Sequence, residues 1–525
     1  MAEVKLYDDM TVLEKIDNIM QQEAKIFEMG GPEAVQLQHD QGKYTARERM
    51  ERLYDPGTFV EIGTFCRSVS IHYNMFEEET PADGVIAGYG LVYGRPVYGV
   101  FQDATVMGGT IGKVHARKIV NVMKEAANNG CPMVYFVDSE GLRFKEGPDA
   151  MYGLGTVVYN MSLYSGRMPQ ICVVAGPCTG AAALIPGLAD WIFAIDKITK
   201  LYANDPATIK AVTGEEVKEN EIGGARVHAT TSANVTTMTK SEDDCIFEVQ
   251  RLLGFLPGSV KEKPPRYDTG DSPDRYPEEL RTLVPDNPNQ PYDMKKVISA
   301  VVDNGDFMEW QENWARNIVC ALARMDGGTV GILAQNTMFM AGCLDVNSSD
   351  KGSRFIRFCD AYNIPILNLV DVPGYLPGTD QEWGGIIRHG AKMLYAYSEA
   401  TVPKITVVTR KSYGGSYLGM CSKDVGADIV IVWPPCEMAV MGPEGAVDVL
   451  ERDAIKKAEN PKAKRTELLK AYRNRFLNPT APAAKLNLDK IIDPAETRSL
   501  VCKMLKLFEN KDIKLPYKRQ DVMPE

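Results

Sequence analysis

Two stretches decide the fold because they read alike: NGCPMVYFVDSEG at residues 129–141 and YNIPILNLVDVPG at residues 362–374. Each opens on a small turn and a proline, runs through an apolar segment of strand length, and ends on Asp with a glycine three residues later. Asp371 follows Asp138 by 233 residues. Unbroken apolar runs of this length suit strands covered on both faces. Working outward, RMPQICVVAGPCTGAA (167–182) matches TVPKITVVTRKSYGGS (401–416), with Pro403 falling 234 residues after Pro169. YGRPVYGV and GGTVGILA both read as hairpin returns, and Gly327 follows Gly94 by 233. Further upstream DPGTFVEIG echoes DNGDFMEW, but Asp303 follows Asp55 by 248.

The chain therefore predicts two copies of one layered α/β unit, with short buried strands alternating with helices. The expected division is a first domain at 1–256, a linker at 257–291 rich in Pro, Asp, Arg and Glu, and a second domain at 292–525. Before the first copy, Met10, Leu13, Ile16, Met20 and Ile26-Phe27 recur at helical spacing until Gly30-Gly31-Pro32 ends the pattern. A Rossmann reading fails, since no GxGxxG follows a first strand with an acidic residue about 20 positions on.

A length of 525 residues accommodates two large domains, and 44% hydrophobic with 25% charged residues is a globular composition. The net charge of −11 argues against general binding to nucleic acid or anionic membrane. The 11 cysteines include no CxxC pair and no Cys/His cluster with metal spacing, so no metal is expected and the thiols read as free and buried. The start, MAEVKLYDDM, is acidic and polar and does not read as a signal peptide. The longest apolar stretch, Ala181 to Ile195, is broken by Pro186 and Asp190, which makes it a buried element and not a membrane span.

In each copy a buried strand runs into a glycine-containing turn followed by helix-compatible sequence: ICVVAGPCTGAAALIPG and ITVVTRKSYGGSYLGM. Such a junction presents unpaired main-chain N–H groups that can hold an oxygen as it becomes negative. It equally suits a tight strand-to-helix turn with no ligand. The segment VDVPGYLPGTDQEWGG, where Pro373-Gly374 and Pro377-Gly378 bracket Tyr375, reads as a rigid binding loop or a plain surface loop. Side-chain catalysts are hard to find. His39, His72, His115, His228 and His389 share no spacing with Cys or carboxylates, and Ser139 is not in a GxSxG elbow. His389 reads as satisfying its helix. An enzyme relying on main-chain amides, or a protein without chemistry, fits this pattern.

Several stretches carry a family resemblance: QHDQGKYTARERMERLYDPGTFVEIG, PADGVIAGYGLVYGRPVYG, QDATVMGGTIG, VTGEEVKENEIGGARVH, GCLDVNSSDKGSRFIRFCDAYNIPI, MAVMGPEGAV and the long run from Asp371 to Met420. The chain resembles the carboxyltransferase subunits of biotin-dependent acyl-CoA enzymes, with the strongest likeness to the propionyl/methylmalonyl branch. The resemblance implies an α/β fold that is a tandem duplication of a crotonase-like (ClpP/crotonase) unit, assembled as a homohexameric trimer of dimers. It implies an acyl-CoA held on the first half and biotin entering from the second, each site shared between two subunits. A carboxyl group would pass between carboxybiotin and the α-carbon of a short acyl-CoA. The thioester oxyanion hole falls at Gly180 and Ala181, and the biotin-side hole at Gly415 and Ser416, 235 residues after Gly180. Met107, Gly108, Gly109, Gly141, Arg143 and Gly180 match the acyl-CoA side; Pro373, Gly374, Tyr375, Gly378, Gly415 and Ser416 match the biotin side.

The chain has no MKM biotin-attachment motif, so biotin is expected on a partner, a biotin carboxyl carrier protein. A biotin carboxylase subunit or a membrane decarboxylase subunit would complete the complex, in the cytoplasm or at the membrane through that partner. Three departures from the family pattern fall in the first half: SEGLR for SGGAR at 139–143, GPCTGAA for GPCAGGA followed by IPG for SPA, and ANDP at 203–206 for TGP. They bear on the acyl group accepted. Two other readings are a biotin-independent crotonase-like acyl-CoA enzyme and a non-catalytic subunit of a carboxylase or decarboxylase complex.

Overall fold

The structure is a computed structural model that describes residues 7–524; the first part of the polar N-terminal stretch, residues 1–6, lies outside them. The chain divides between Lys261 and Glu262 into two compact units. The helix expected near the start runs Val12–Phe27, and a capping box closes its N-terminus: Thr11 accepts from the Glu14 N–H while Glu14 reaches back to Thr11.

The first unit is built on one sheet. Its strands are β1 (Val60–Glu61), β2 (Val85–Val92), β3 (Arg95–Gln102), β4 (Met133–Ser139), β5 (Gln170–Thr179), β6 (Trp191–Ile195), β7 (Lys200–Tyr202) and β8 (Thr237–Thr239). They lie in the order β1-β2-β3-β4-β5-β6-β8, and β7 pairs with the far end of β5. β2 and β3 form the expected antiparallel hairpin. From β3 to β6 the ladder is parallel, which demands crossovers. Helices Lys113–Asn129 and Pro148–Tyr164 supply the first two. All seven residues of β4 are buried. The helices pack Ile119, Val122, Met123, Leu154, Val157 and Met161 into the same core as Val137, Cys172 and Val174.

The second unit repeats the plan with β9 (Phe307–Trp310), β10 (Ile318–Met325), β11 (Gly328–Gln335), β12 (Ile366–Val372), β13 (Lys404–Tyr413), β14 (Ile429–Val432), β15 (Glu437–Ala439) and β16 (Lys490–Ile491). The order is β16-β14-β13-β12-β11-β10-β9, with β15 against the end of β13. Helices Val346–Ala361 and Ile386–Glu399 take the crossover places.

The upstream echo at offset 248 has a structural meaning. Glu61 on β1 meets Arg47 at 3.0 Å and Lys118 at 3.8 Å, while Glu309 on β9 meets Lys295 at 2.5 Å and faces Lys351. Lys295 follows Arg47 by 248, and Lys351 follows Lys118 by 233. The offset falls because 23 residues separate Glu61 from Val85, whereas 8 separate Glu309 from Ile318. The first unit thus carries an excursion at 62–84 that the second lacks. In the stretch expected as a linker, the unit boundary comes early, at Lys261. Beyond it the chain packs on the second unit: Leu280 and Val284 are buried in its core. Pro and charge in this stretch mark irregular backbone, not a free tether.

Candidate active site

The turns at the ends of the central strands follow from one irregularity present in both units. β4 and β5 pair in register through Val137–Val174, then resume at Ser139–Cys178. β12 and β13 pair through Val370–Val408, then resume at Val372–Ser412. Each jump leaves an aspartate, Asp138 or Asp371, opposite three residues of the neighbouring strand. Its main-chain N–H donates to a glutamine on the preceding strand, Gln102 Oε1 at 3.3 Å or Gln335 Oε1 at 3.1 Å. The jump is the same in both units, so the change from 233 on one strand to 234 on the next comes from one extra residue in the connection between them, 373–403 against 140–169.

Both aspartates are fully buried, and a buried carboxylate must be paired. Asp138 accepts from Arg49 at 2.9 Å, Lys43 at 3.1 Å and Gln38 at 2.8 Å. Arg49 also donates to Glu242 and to the Ala175 carbonyl, and its two carboxylates hold it firmly protonated despite burial. Asp371 accepts from Arg410 Nε at 2.9 Å and from the Lys411 N–H at 3.1 Å. These pairs brace the strand ends from which the glycine turns depart. Sequence reading missed Arg49 and Arg410; the only available signal was the aspartate recurring at 233.

Beyond β3 the first unit makes a left-handed turn, with positive φ at Met107, Gly108 and Gly109. Gly109 is required by packing, since a Cβ there would stand 2.1 Å from the Asp138 carbonyl oxygen. Ile111 then bonds to the Gly141 carbonyl and receives the Arg143 N–H, which joins this turn to the SEGLR segment. The second unit makes the same turn at Met340, Ala341 and Gly342, and there Leu344 bonds to Gly374 and Leu376. Tyr375 consequently occupies the place of Leu142.

Gly180 opens a short helix directly after β5, with φ +62° and no atom within 4 Å of a Cβ built on it. Its neighbour Gly141 is near enough that its own Cβ would lie 3.0 Å from the Thr179 carbonyl. Gly108, Gly109, Gly141, Gly180 and Ala181 thus surround adjoining turns. Arg143, expected beside them to meet the acyl-CoA, is committed elsewhere. It is 2% exposed, bonded to Asp83, to Glu146 at 2.9 Å and to the Thr110 carbonyl. Asp83 belongs to the 62–84 excursion, as do Ser68, bonded to Glu146 at 2.7 Å, and Glu78, paired with Lys145. Arg143 holds the loop and is not free for a phosphate.

In the second unit the helix Gly414–Gly419 starts after β13, with Tyr413 at the N-cap where Thr179 stands in the first. The structural equivalent of Gly180 is therefore Gly414, at 234, and not Gly415. Gly415 matches Ala181, and Ser416, whose hydroxyl donates to the Tyr413 carbonyl at 2.6 Å, matches Ala182. The expected 235-residue correspondence is corrected because the strands that lead into the two turns, and their N-cap residues Thr179 and Tyr413, align at 234. Gly414 has φ +60°. Gly374 and Gly378 have open space where a side chain would be. The Tyr375 ring wedges under the helix: Cβ atoms built on Gly390 and Gly415 would stand 3.0 and 3.9 Å from the ring, and one on Gly419 would stand 2.8 Å from its hydroxyl. Its buried hydroxyl has no hydrogen-bond partner among the described residues, and burial pushes its pKa up to about 12.

Among the described residues no group of three His, Cys, Asp or Glu could hold a metal, and no helix is long and apolar enough to cross a membrane. All 11 cysteines are free, nine of them buried.

Comparison with known proteins agrees with this geometry. The carboxyl transferase domain family matches residues 37–523. The methylmalonyl-CoA decarboxylase subunit alpha of Veillonella parvula is 50% identical over 95% of this chain and 97% of its own length. The propionyl-CoA carboxylase carboxyltransferase subunit of Haloferax mediterranei is 44% identical over 98% of this chain and 100% of its own. The transcarboxylase 12S structure with methylmalonyl-coenzyme A and methylmalonic acid bound matches with a TM-score of 0.96 at 44% identity, covering 99% of this chain and 100% of that one. The two sheets are its tandem crotonase-like fold. The chain belongs to the carboxyl transferase domain family and is an enzyme of the biotin-dependent acyl-CoA carboxyltransferase kind.

Proposed function

We propose that this chain moves a carboxyl group between biotin carried on a partner protein and the α-carbon of a short acyl-CoA, of the propionyl/methylmalonyl class. The observation that carries the reading is the pair of equivalent glycine turns, Gly180-Ala181 and Gly414-Gly415-Ser416, each launched from a strand end braced by a buried aspartate. In the first unit the N–H groups of Gly180 and Ala181 hold the thioester oxygen as charge develops on it, in a setting where Gly108 and Gly141 leave room for the acyl group. In the second, Gly415 with Gly414 or Ser416 would hold the ureido oxygen of biotin, and Gly374, Gly378 and Tyr375 would line its approach. The open space at Gly374 and Gly378 fits a bound polar ring. Biotin supplies the nitrogen that carries the carboxyl group. Main-chain donors of this kind are worth roughly 2.7–4 kcal/mol each in the transition state.

The working assembly in this reading is a homohexamer that meets a biotin carboxyl carrier protein and either a biotin carboxylase or a membrane decarboxylase subunit, in the cytoplasm. Exposed Phe65, Ile71, Tyr73, Phe76 and Phe144 on the first unit support burial against another copy. The test is carboxyl transfer to and from free biotin with propionyl-, acetyl-, butyryl-, methylmalonyl- and glutaconyl-CoA, alongside light scattering. Transfer with at least one thioester and a mass of about six chains is expected. A monomer, or binding of thioesters without any transfer, would overturn it, and the latter would assign a non-catalytic role.

A further inference from the structure

The charged side chains on the turn after β4 are accounted for with one exception. Arg143 is bound by Asp83 and Glu146, Lys145 by Glu78, and across β5 Lys200 is bound by Glu219. The carboxylate of Glu140 has no hydrogen bond or ion pair among the described residues, although its main-chain N–H donates to the Gly108 carbonyl at 3.0 Å. It is exposed, yet it is not extended into solvent. The side chain folds back so that Oε2 lies 2.7 Å from where a Cβ on Gly108 would be. The second unit has Ala341 in the place of Gly108 and Pro373 in the place of Glu140, so the glycine and the carboxylate come together.

Three neighbours fix where this carboxylate stands. Gly108 is on one side. On another is Gly141, the next residue, where a Cβ would lie 3.0 Å from the Thr179 carbonyl just before Gly180. On the third is Tyr202, paired with Thr179 across β5 and β7. The hydroxyl of Tyr202 is pushed up to about 12 by burial, then by Glu219, Asp205 and Glu140. An unpaired carboxylate therefore sits on the rim of the turn that holds the thioester oxygen.

We propose that Glu140 is a protein base at this site and gives the chain a second activity, exchange of the α-proton of an acyl-CoA without biotin. The inference rests on the assignment of the acyl-CoA to the Gly108, Gly141 and Gly180 turns. In the step, the Cα–H bond of the thioester breaks and its proton passes to the Glu140 carboxylate. The C–H electron pair forms the Cα=C bond, and the carbonyl π pair moves to oxygen, where the N–H groups of Gly180 and Ala181 receive it. The reverse step returns a proton from the carboxylic acid after exchange with solvent, so nothing is oxidised or consumed. General-base catalysis of this kind is worth about 10²–10⁴-fold.

The test uses the full chain with propionyl-CoA in D₂O, no biotin present, and follows loss of the α-CH₂ proton signal by NMR. Exchange at least about 10²-fold above buffer is expected, falling close to the buffer rate in Glu140→Gln and partly retained in Glu140→Asp. Propionyl-CoA affinity should stay within a factor of three across the series, which separates loss of a base from loss of binding. Wild-type exchange in Glu140→Gln, or no exchange in a wild-type chain that binds propionyl-CoA, would overturn the proposal. Carboxyl transfer with free biotin is run in parallel. Transfer without exchange rejects the base and leaves the carboxyltransferase reading intact, while exchange without transfer supports the base and counts against that reading.

Discussion

At the ends of β4 and β12 the chain buries an aspartate in the same register jump but neutralises it from opposite directions. In the second unit the cation comes from the paired strand itself: Arg410 lies opposite Asp371 in the jump. In the first unit that strand position is Gly176, where a Cβ would stand 1.9 Å from Asp138 Oδ1, and the cations arrive from outside the sheet as Arg49 and Lys43. Arg49 is held in turn by Glu242. One unit therefore fixes its turn by a local pair, whose arginine also ties down the carbonyls of Asn287 and Gln290. The other fixes its turn by a network reaching to residues almost two hundred positions away. Geometry was kept and the means of charge balance changed, which is what the high cost of an unpaired buried charge imposes on a duplicated fold.

The largest effect should come from breaking the simpler arrangement. Arg410→Met removes the only ion-pair partner of Asp371 among the described residues and should cost about 3–5 kcal/mol by calorimetry. Lys43→Met leaves Arg49 and Gln38 on Asp138 and should cost about 1–3 kcal/mol. Equal losses would mean that the two aspartates are balanced alike, and the contrast would collapse.

Next in size is the division of labour between the turns. A Cβ on Gly415 meets nothing nearer than the Tyr375 ring at 3.9 Å, and its backbone lies outside the left-handed region, so the fold accepts a side chain there. Gly415→Val should reduce carboxyl transfer about 10²–10³-fold, leaving CoA affinity unchanged. Turnover comparable to wild type would remove this turn from the biotin side.

A smaller contrast separates His115 from Ser348, its counterpart at 233. His115 is buried against Gln102 and the Asp83 carbonyl, and burial, aided by Arg143, pushes its pKa down to about 3. In the unfolded chain the ring takes a proton near pH 6.5, whereas in the folded chain it stays neutral to about 3. Stability from this group is thus full above about 6.5 and falls with acid at roughly 1.4 kcal/mol per pH unit down to about 3. His115→Gln should flatten that part of the acid profile, and Ser348→Ala should not. An unchanged slope in denaturant titrations from pH 6.5 to 4 would show that His115 does not set it.

The smallest effect concerns the aromatic wedge. Where the first unit places Leu142, the second places Tyr375 against Gly390 and Gly419, with a hydroxyl that bonds to nothing among the described residues. Tyr375→Phe keeps the ring and relieves an unsatisfied donor, so stability should rise by about 1 kcal/mol with transfer within a factor of two. A clear loss of transfer would instead give the hydroxyl a role toward biotin.

The sequence by itself determined the duplication, the strand-turn-helix junctions and the family, because buried parallel strands and glycine turns are local patterns that repeat at readable offsets. Even the echo at 248 was legible, although its cause, an excursion inserted ahead of β2, was not. The 234 offset of the strands before the turns already pointed to Gly414 as the match of Gly180, and the tertiary structure decided for it over Gly415 by placing Thr179 and Tyr413 at equivalent N-caps. It also withdrew Arg143 from the acyl-CoA side, because an arginine in a family motif reads the same whether it faces a ligand or two buried carboxylates. Arg49 and Asp138 were invisible as a pair for the same reason: charge neutralisation acts through space, and residues 89 apart in the chain become partners only when the sheet brings them together.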